Sequence, residues 1–233
     1  MDKKLENAHI VACKTLGPEI ELLMQRHKLD LPRSFVESGK HVWPDKLRVC
    51  IQESIDRVPR GRTILLVFGF CGNSLVGIKS GSHTLVLPQA ADCIPLFLGG
   101  RKNREAYGIY TYFFTKGYLE SEANFVKDYA VYVQKYGKKR SDRVMQEMMK
   151  HYKRIAVIDT GAFDPEEVKD AISPFARIID VPVSIIPGNL RIIDMLLTGD
   201  WNPLEFLTIG PDSEVTFEMS LNPGALLPVR NQT

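Results

Sequence analysis

The 233-residue sequence lacks most of the features that announce a function. No stretch reaches the ~18 consecutive apolar residues of a membrane-spanning helix. The start, MDKKLENAHIVACKTLG, has charge but no apolar h-region of the secretory kind. These absences lead us to expect a cytoplasmic location and no membrane partner. Charge of one sign is also missing: 30 basic against 28 acidic residues leave a formal charge of +2. That balance excludes the broad electrostatic footprint of sequence-independent phosphate-backbone binding, and with it a nucleic-acid partner. The basic cluster from Lys135 to Arg143 is local and reads as a solvated helix end or turn. There is no GxxxxGKS/T, GxSxG or HExxH, and no GxGxxG after a strand, which disfavours a nucleotide enzyme of a common kind. Cysteine is scarce, four in all, and no CxxC pair occurs. In a reducing compartment four cysteines do not suggest a disulfide framework, which leaves buried small hydrophobes, a reactive thiol or metal ligands.

What is present is an ordinary globular composition, 44% hydrophobic and 25% charged. Apolar, β-branched runs alternate with helical patterns, the signal for βαβ units and a mostly parallel sheet. Strands are expected at His9–Cys13, Thr63–Phe68, Thr84–Leu87, Gly108–Phe114, Arg154–Ile158, Val183–Ile186 and Phe206–Ile209. Helices are expected at Glu19–His27, Pro44–Val58, Ile94–Leu98, Ser121–Tyr136, Ser141–His151, Pro165–Ala176 and Leu190–Leu197. The fold class is therefore α/β with a Rossmann-like parallel sheet. Two arrangements fit: two similar α/β halves facing a cleft, or a single doubly wound sheet. In the first, residues 1–120 form an N-terminal half carrying the cysteines and residues 121–233 a helical and α/β half.

Ligands of open α/β sheets bind outside the carboxyl ends of the strands. Cys13 ends the first expected strand, Cys71 lies in the turn after the second, and Cys93 follows the third at a helix start. Cys50, by contrast, falls on the apolar stripe of a helix and reads as packing. Thiolates are soft ligands, and three of them leave a fourth position open on zinc or an iron–sulfur cluster. Asp92 is a candidate for orienting a ligand or for capping the helix after it. Gly72, Asn73 and Ser74 are candidates for contacting a small-molecule ligand, set against ordinary turn chemistry. In the second half, Asp159, Thr160 and Gly161 and the pair Gly188 and Asn189 occupy strand-end turns and are candidate substrate contacts. His9, His27, His41, His83 and His151 are scattered, with no HxxxH or HxH spacing.

The elements Ala12-Cys13, Leu31-Pro32, Phe68-Gly69-Phe70-Cys71-Gly72, Leu87-Pro88 with Asp92-Cys93, Thr115-Lys116-Gly117-Tyr118, Ile158-Asp159-Thr160-Gly161 and Leu196-Leu197-Thr198-Gly199-Asp200-Trp201 occur in this order. The pattern resembles the uncharacterised domain-of-unknown-function family 1638 of anaerobic bacteria and methanogenic archaea, over almost the whole chain. The resemblance carries over Cys13, Cys71 and Cys93 but not Cys50. Phe68 and Ala91 stand where the family often has Tyr and His. The resemblance implies a part in corrinoid-dependent methyl transfer or one-carbon metabolism, with a corrinoid protein or a methyltransferase as partner. The expectation is a three-cysteine zinc or iron–sulfur protein. The alternative is a non-catalytic binding or accessory protein with structural cysteines, and metal-free thiol chemistry at Cys71 or Cys93 ranks last for want of a base. Whether the chain is an enzyme stays open.

Overall fold

The structure is a computed structural model that describes residues 4–37, 43–122 and 124–221. The run Ala8–Cys13 has no Asp, Glu, Lys or Arg, and both Ile10 and Val11 are wholly buried although they point to opposite faces. Such a run suits the centre of a parallel sheet covered on both sides. It forms β1, flanked by β2 (Arg33–Val36) and β3 (Thr63–Val67), and the sheet continues through β4 (Thr84–Pro88) to β8 (Phe206–Ile209). The first four strands are parallel, while β8 runs antiparallel to β4 with Leu85 opposite Ile209. A second, three-stranded parallel sheet has the order β5 (Thr111–Phe114), β6 (Arg154–Asp159), β7 (Val183–Pro187). The fold is α/β and Rossmann-like.

Three helices lie between the sheets: α1 (Gly17–His27), α3 (Ile94–Leu98) and α9 (Arg191–Thr198). Ile20, Leu96 and Leu197 pack in one cluster with Ile10 and Val67 of the first sheet and Ala156 and Ile158 of the second. Helix α2 (Pro44–Asp56) covers the other face of the first sheet, setting Ile51 and Ile55 against Val11 and Leu66. Helices α7 (Lys138–Met149) and α8 (Pro165–Ile179) cover the outer face of the second sheet around Phe114 and Val157. The short helices α4 (Arg101–Ala106), α5 (Lys116–Glu120) and α10 (Phe217–Leu221) and the longer α6 (Phe125–Tyr136) complete the chain. No helix among the described residues is long and apolar enough to cross a membrane.

The differences from the sequence reading have local causes. β2 falls in a stretch that reads as a proline-bounded loop, because an edge strand of four residues with three of them at least partly exposed shows no apolar run. α4 falls in a stretch that reads as a charged loop, and it buries no residue. α6 begins at Phe125 because Asn124 Oδ1 accepts from Val126 N and Lys127 N, both at 3.1 Å, the arrangement of a helix N-cap. Sheet membership crosses residue 120 in both directions: β5 precedes it and pairs with β6, and β8 follows it and pairs with β4.

One local device positions the functional edge. The segment after β3 runs beside the segment after β4, with Phe70 N donating to Ala90 O and Cys71 N to Ala91 O, each at 2.8 Å. The approach is so close that a Cβ on Gly69 would lie 2.2 Å from the Asp92 carbonyl carbon. Only a residue without a side chain fits. Gly69→Ala is expected to lower unfolding free energy by about 2–3 kcal/mol, the cost of a rigid overpacked contact, as read from urea denaturation. A loss under about 0.5 kcal/mol would show that the two segments separate freely.

Candidate functional site

The three cysteines reach one place by three routes. Cys13 is the last residue of β1, and its Sγ shares a hydrogen bond with Thr15 Oγ1 at 3.1 Å. Cys71 sits in a left-handed turn with φ of 43°, followed by Gly72 at 69° and Asn73 at 68°. That conformation costs a non-glycine residue about 1–2 kcal/mol, and the bond to Ala91 O is one of the contacts that hold it. Cys93 is the N-cap residue of α3, and beside it Asp92 Oδ1 accepts from Ile94 N, the first amide of that helix, at 2.8 Å. Cys13, Cys71 and Cys93, with Gly72 and Asp92, line a single cavity of about 390 Å³. Cys50 does not line it and packs on the α2 side of the first sheet. No disulfide joins any two of Cys13, Cys71 and Cys93.

Burial governs the electrostatics. It pushes the Cys71 thiol up to about 12, with the nearby charges of Cys13 and Asp92 adding to the shift. Cys93 is pushed well above the usual thiol range, first by burial and then by Cys71, Cys13 and Asp92. Cys13 is also raised by burial, against the Thr15 hydrogen bonds that favour its thiolate. All three thiols are therefore neutral at neutral pH, and only a positive group close against the sulfurs would reverse that.

The facing wall comes from the second sheet. Tyr112 of β5, Tyr118 of α5 and Tyr152 line the cavity, and the Tyr112 and Tyr118 hydroxyls lie 2.5 Å apart. Burial raises both phenols, so they keep their protons, and the Cys93 charge contributes to the shift of Tyr118. α5 can sit here because Gly117 has no side chain; a Cβ on it would stand 2.2 Å from Thr15 O. Arg104 brings a cation to the lining, stacked 4.7 Å over Phe113 and donating to Gly108 O at 2.9 Å.

The other expected contacts lie elsewhere. Asn73 and Ser74 do not line the cavity; Ser74 is buried and its hydroxyl donates to Phe70 O at 3.0 Å. Asp159 Oδ1 accepts from Gly161 N at 3.0 Å, which is turn chemistry. Gly188 packs on Asp159 O, and Asn189 N donates to Phe97 O at 2.8 Å, tying β7 to the central helices. Among the histidines, His9 bonds Ser34, His27 pairs with Asp194, and His83 meets Arg62 N at the opposite edge of the sheet. His41 lies outside the described residues. The donor chemistry of three sulfurs and a carboxylate suits a thiophilic metal. Among the described residues, however, no group of three or more His, Cys, Asp or Glu is gathered so that it could hold a metal ion as it stands.

Fold and site together define an α/β protein with a thiol- and tyrosine-lined cavity between a mostly parallel sheet and a parallel one. The profile of the family described as protein of unknown function, DUF1638, matches residues 35–197, and the chain belongs to that family. The matched span takes in Cys71 and Cys93 and starts beyond Cys13. No curated protein and no solved structure matches the chain.

Sequence reasoning missed the tyrosine wall, whose signal was the Thr115-Lys116-Gly117-Tyr118 element, and it missed Glu19 altogether. A glutamate in a first helical turn ordinarily complements the helix dipole at the surface. Glu19 is instead wholly buried between the sheets, where Oε1 accepts from Thr160 Oγ1 at 2.8 Å and Oε2 has no partner among the described residues. Burial pushes its carboxyl up to about 7 from the usual 4.5. The folded protein thus holds a proton that the unfolded chain has lost, so stability falls as pH rises from about 4.5 to 7 and levels off above. In urea titrations across this range, Glu19→Gln is expected to remove that slope. A variant with the wild-type slope would place the titration elsewhere.

Proposed function

We propose that Cys13, Cys71 and Cys93 form the ligand set of a zinc ion or an iron–sulfur cluster in the cavity between the sheets. The observation that carries this reading is the meeting of three partly buried thiols, from beyond or at the ends of three separate strands, on one cavity, with Cys50 left out. Ionised together and alone they would repel one another, and a soft cation is the partner that offsets both their repulsion and their burial. Loading would rotate the three side chains toward a common point and release their protons. When bound, zinc supplies a Lewis acid and a cluster supplies an iron that passes electrons or holds substrate.

Around that point the chain's own groups have distinct tasks. The paired Tyr112 and Tyr118 hydroxyls hold a proton at the facing wall. Arg104 offers its charge to an anionic part of a ligand, while Phe97 and Phe113 exclude water. In the setting that the family resemblance implies, the work is corrinoid-dependent methyl transfer or one-carbon metabolism, and the partner is a corrinoid protein or a methyltransferase.

One observation favours a second reading. The sulfurs are not gathered into a preformed cage, which is what neutral thiols lining the cavity of a non-catalytic binding or accessory protein would look like. Metal analysis separates the two. Protein purified and reconstituted without oxygen is expected to carry about one zinc, or iron with matching sulfide, per chain. Cys13→Ser, Cys71→Ser and Cys93→Ser should each lose it and Cys50→Ser should keep it. A wild-type content below about half an equivalent overturns the metal reading in favour of the second.

A further inference from the structure

The second sheet has an unfinished edge. β5 pairs with β6 on one side, and among the described residues no strand lies on the other. In a parallel ladder alternate N–H and C=O groups point away from the partner, so a four-residue edge strand leaves about two of each unpaired. Such an edge ordinarily faces water. This one is largely inside the protein: Thr111 is 3% exposed, Phe113 7% and Phe114 1%, with Tyr112 partly exposed. Among the described residues, no hydrogen bond outside the β5–β6 ladder reaches the main chain of Thr111–Phe114.

What adjoins that edge is the cysteine cavity. Successive side chains of a strand point to opposite faces, yet the consecutive residues Thr111, Tyr112 and Phe113 all line the cavity. The cavity therefore meets the strand edge-on. Buried main-chain amides need partners, and the flanking Ile94, Phe97 and Phe113 side chains supply none. Water or a ligand must meet them.

We propose that the cavity binds a small secondary amide, docked along the free edge of β5 as a short added strand, with its apolar substituents against Ile94, Phe97 and Phe113. Main-chain hydrogen bonds give this mode its affinity, and neighbouring side-chain pockets give it selectivity. The edge runs for about 13 Å at ~3.3 Å per residue. A volume of about 390 Å³ limits the ligand to a small molecule rather than a polypeptide. The inference rests on the reading of this cavity as the functional site and is independent of the metal.

The test compares N-benzylacetamide with N-benzyl-N-methylacetamide, which lacks the amide hydrogen, by calorimetry and by amide chemical shifts of the isotope-labelled full chain. We expect the first to bind at least about tenfold more tightly, a difference on the scale of one hydrogen bond. It should shift the resonances of Thr111–Phe114. Equal affinities, no binding by either compound, or shifts confined to other strands would each overturn the inference. A parallel zinc titration keeps the two claims apart. Amide preference without zinc uptake removes the metal and leaves the inference, and zinc uptake without amide preference does the reverse.

Discussion

Two main-chain hydrogen bonds, from Phe70 N to Ala90 O and from Cys71 N to Ala91 O, fasten the turn after β3 to the turn after β4. The rest of the site depends on this strap. It brings Cys71 beside Cys93 although 21 residues separate their entries in the chain, and it leaves no room for a side chain at Gly69. Because β1 lies next to β3 in the parallel sheet, with Ala12 opposite Val67, the same edge also receives Cys13. The contact of Gly117 with Thr15 O then brings Tyr118 and the second sheet against the cysteine turns. Convergence of the thiols follows from sheet order and close main-chain packing, with no bond between the sulfurs themselves.

The same packing accounts for the electrostatic character of the interior. Cys71, Cys93 and Glu19 are all pushed toward their neutral forms, and in each case burial is the leading cause. A molecule with helices held between two sheets has little water to offer a charge in that layer, so ionisable groups there stay protonated unless a counter-charge arrives. Glu19 has a hydroxyl on one oxygen and, among the described residues, no partner on the other. The cysteines line a cavity, and the cation proposed above would supply the counter-charge there that Glu19 lacks.

The first sheet and its cysteine edge were legible in the sequence because they depend on rules that act locally. Apolar runs end at turns, parallel strands place their carboxyl ends together, and Cys50 falls within the apolar pattern of α2. The strand-end turns of the second sheet were equally legible as turns, but not where they would face. Asn189 is spent on Phe97 O and on the start of α9, and Thr160 on Glu19. β2, α4 and the buried role of Glu19 depend on tertiary neighbours, and short segments with few apolar residues carry no sign of those neighbours. The cavity itself belongs to both sheets, and no periodicity within one segment encodes how two sheets meet.

The central claim is that Cys13, Cys71 and Cys93 act as one ligand set. X-ray absorption at the zinc edge of anaerobically loaded protein tests it most directly. The account predicts three sulfur neighbours at about 2.3 Å, falling to two in Cys13→Ser. A first shell of oxygen and nitrogen alone, or a sulfur count unchanged by that substitution, would contradict it.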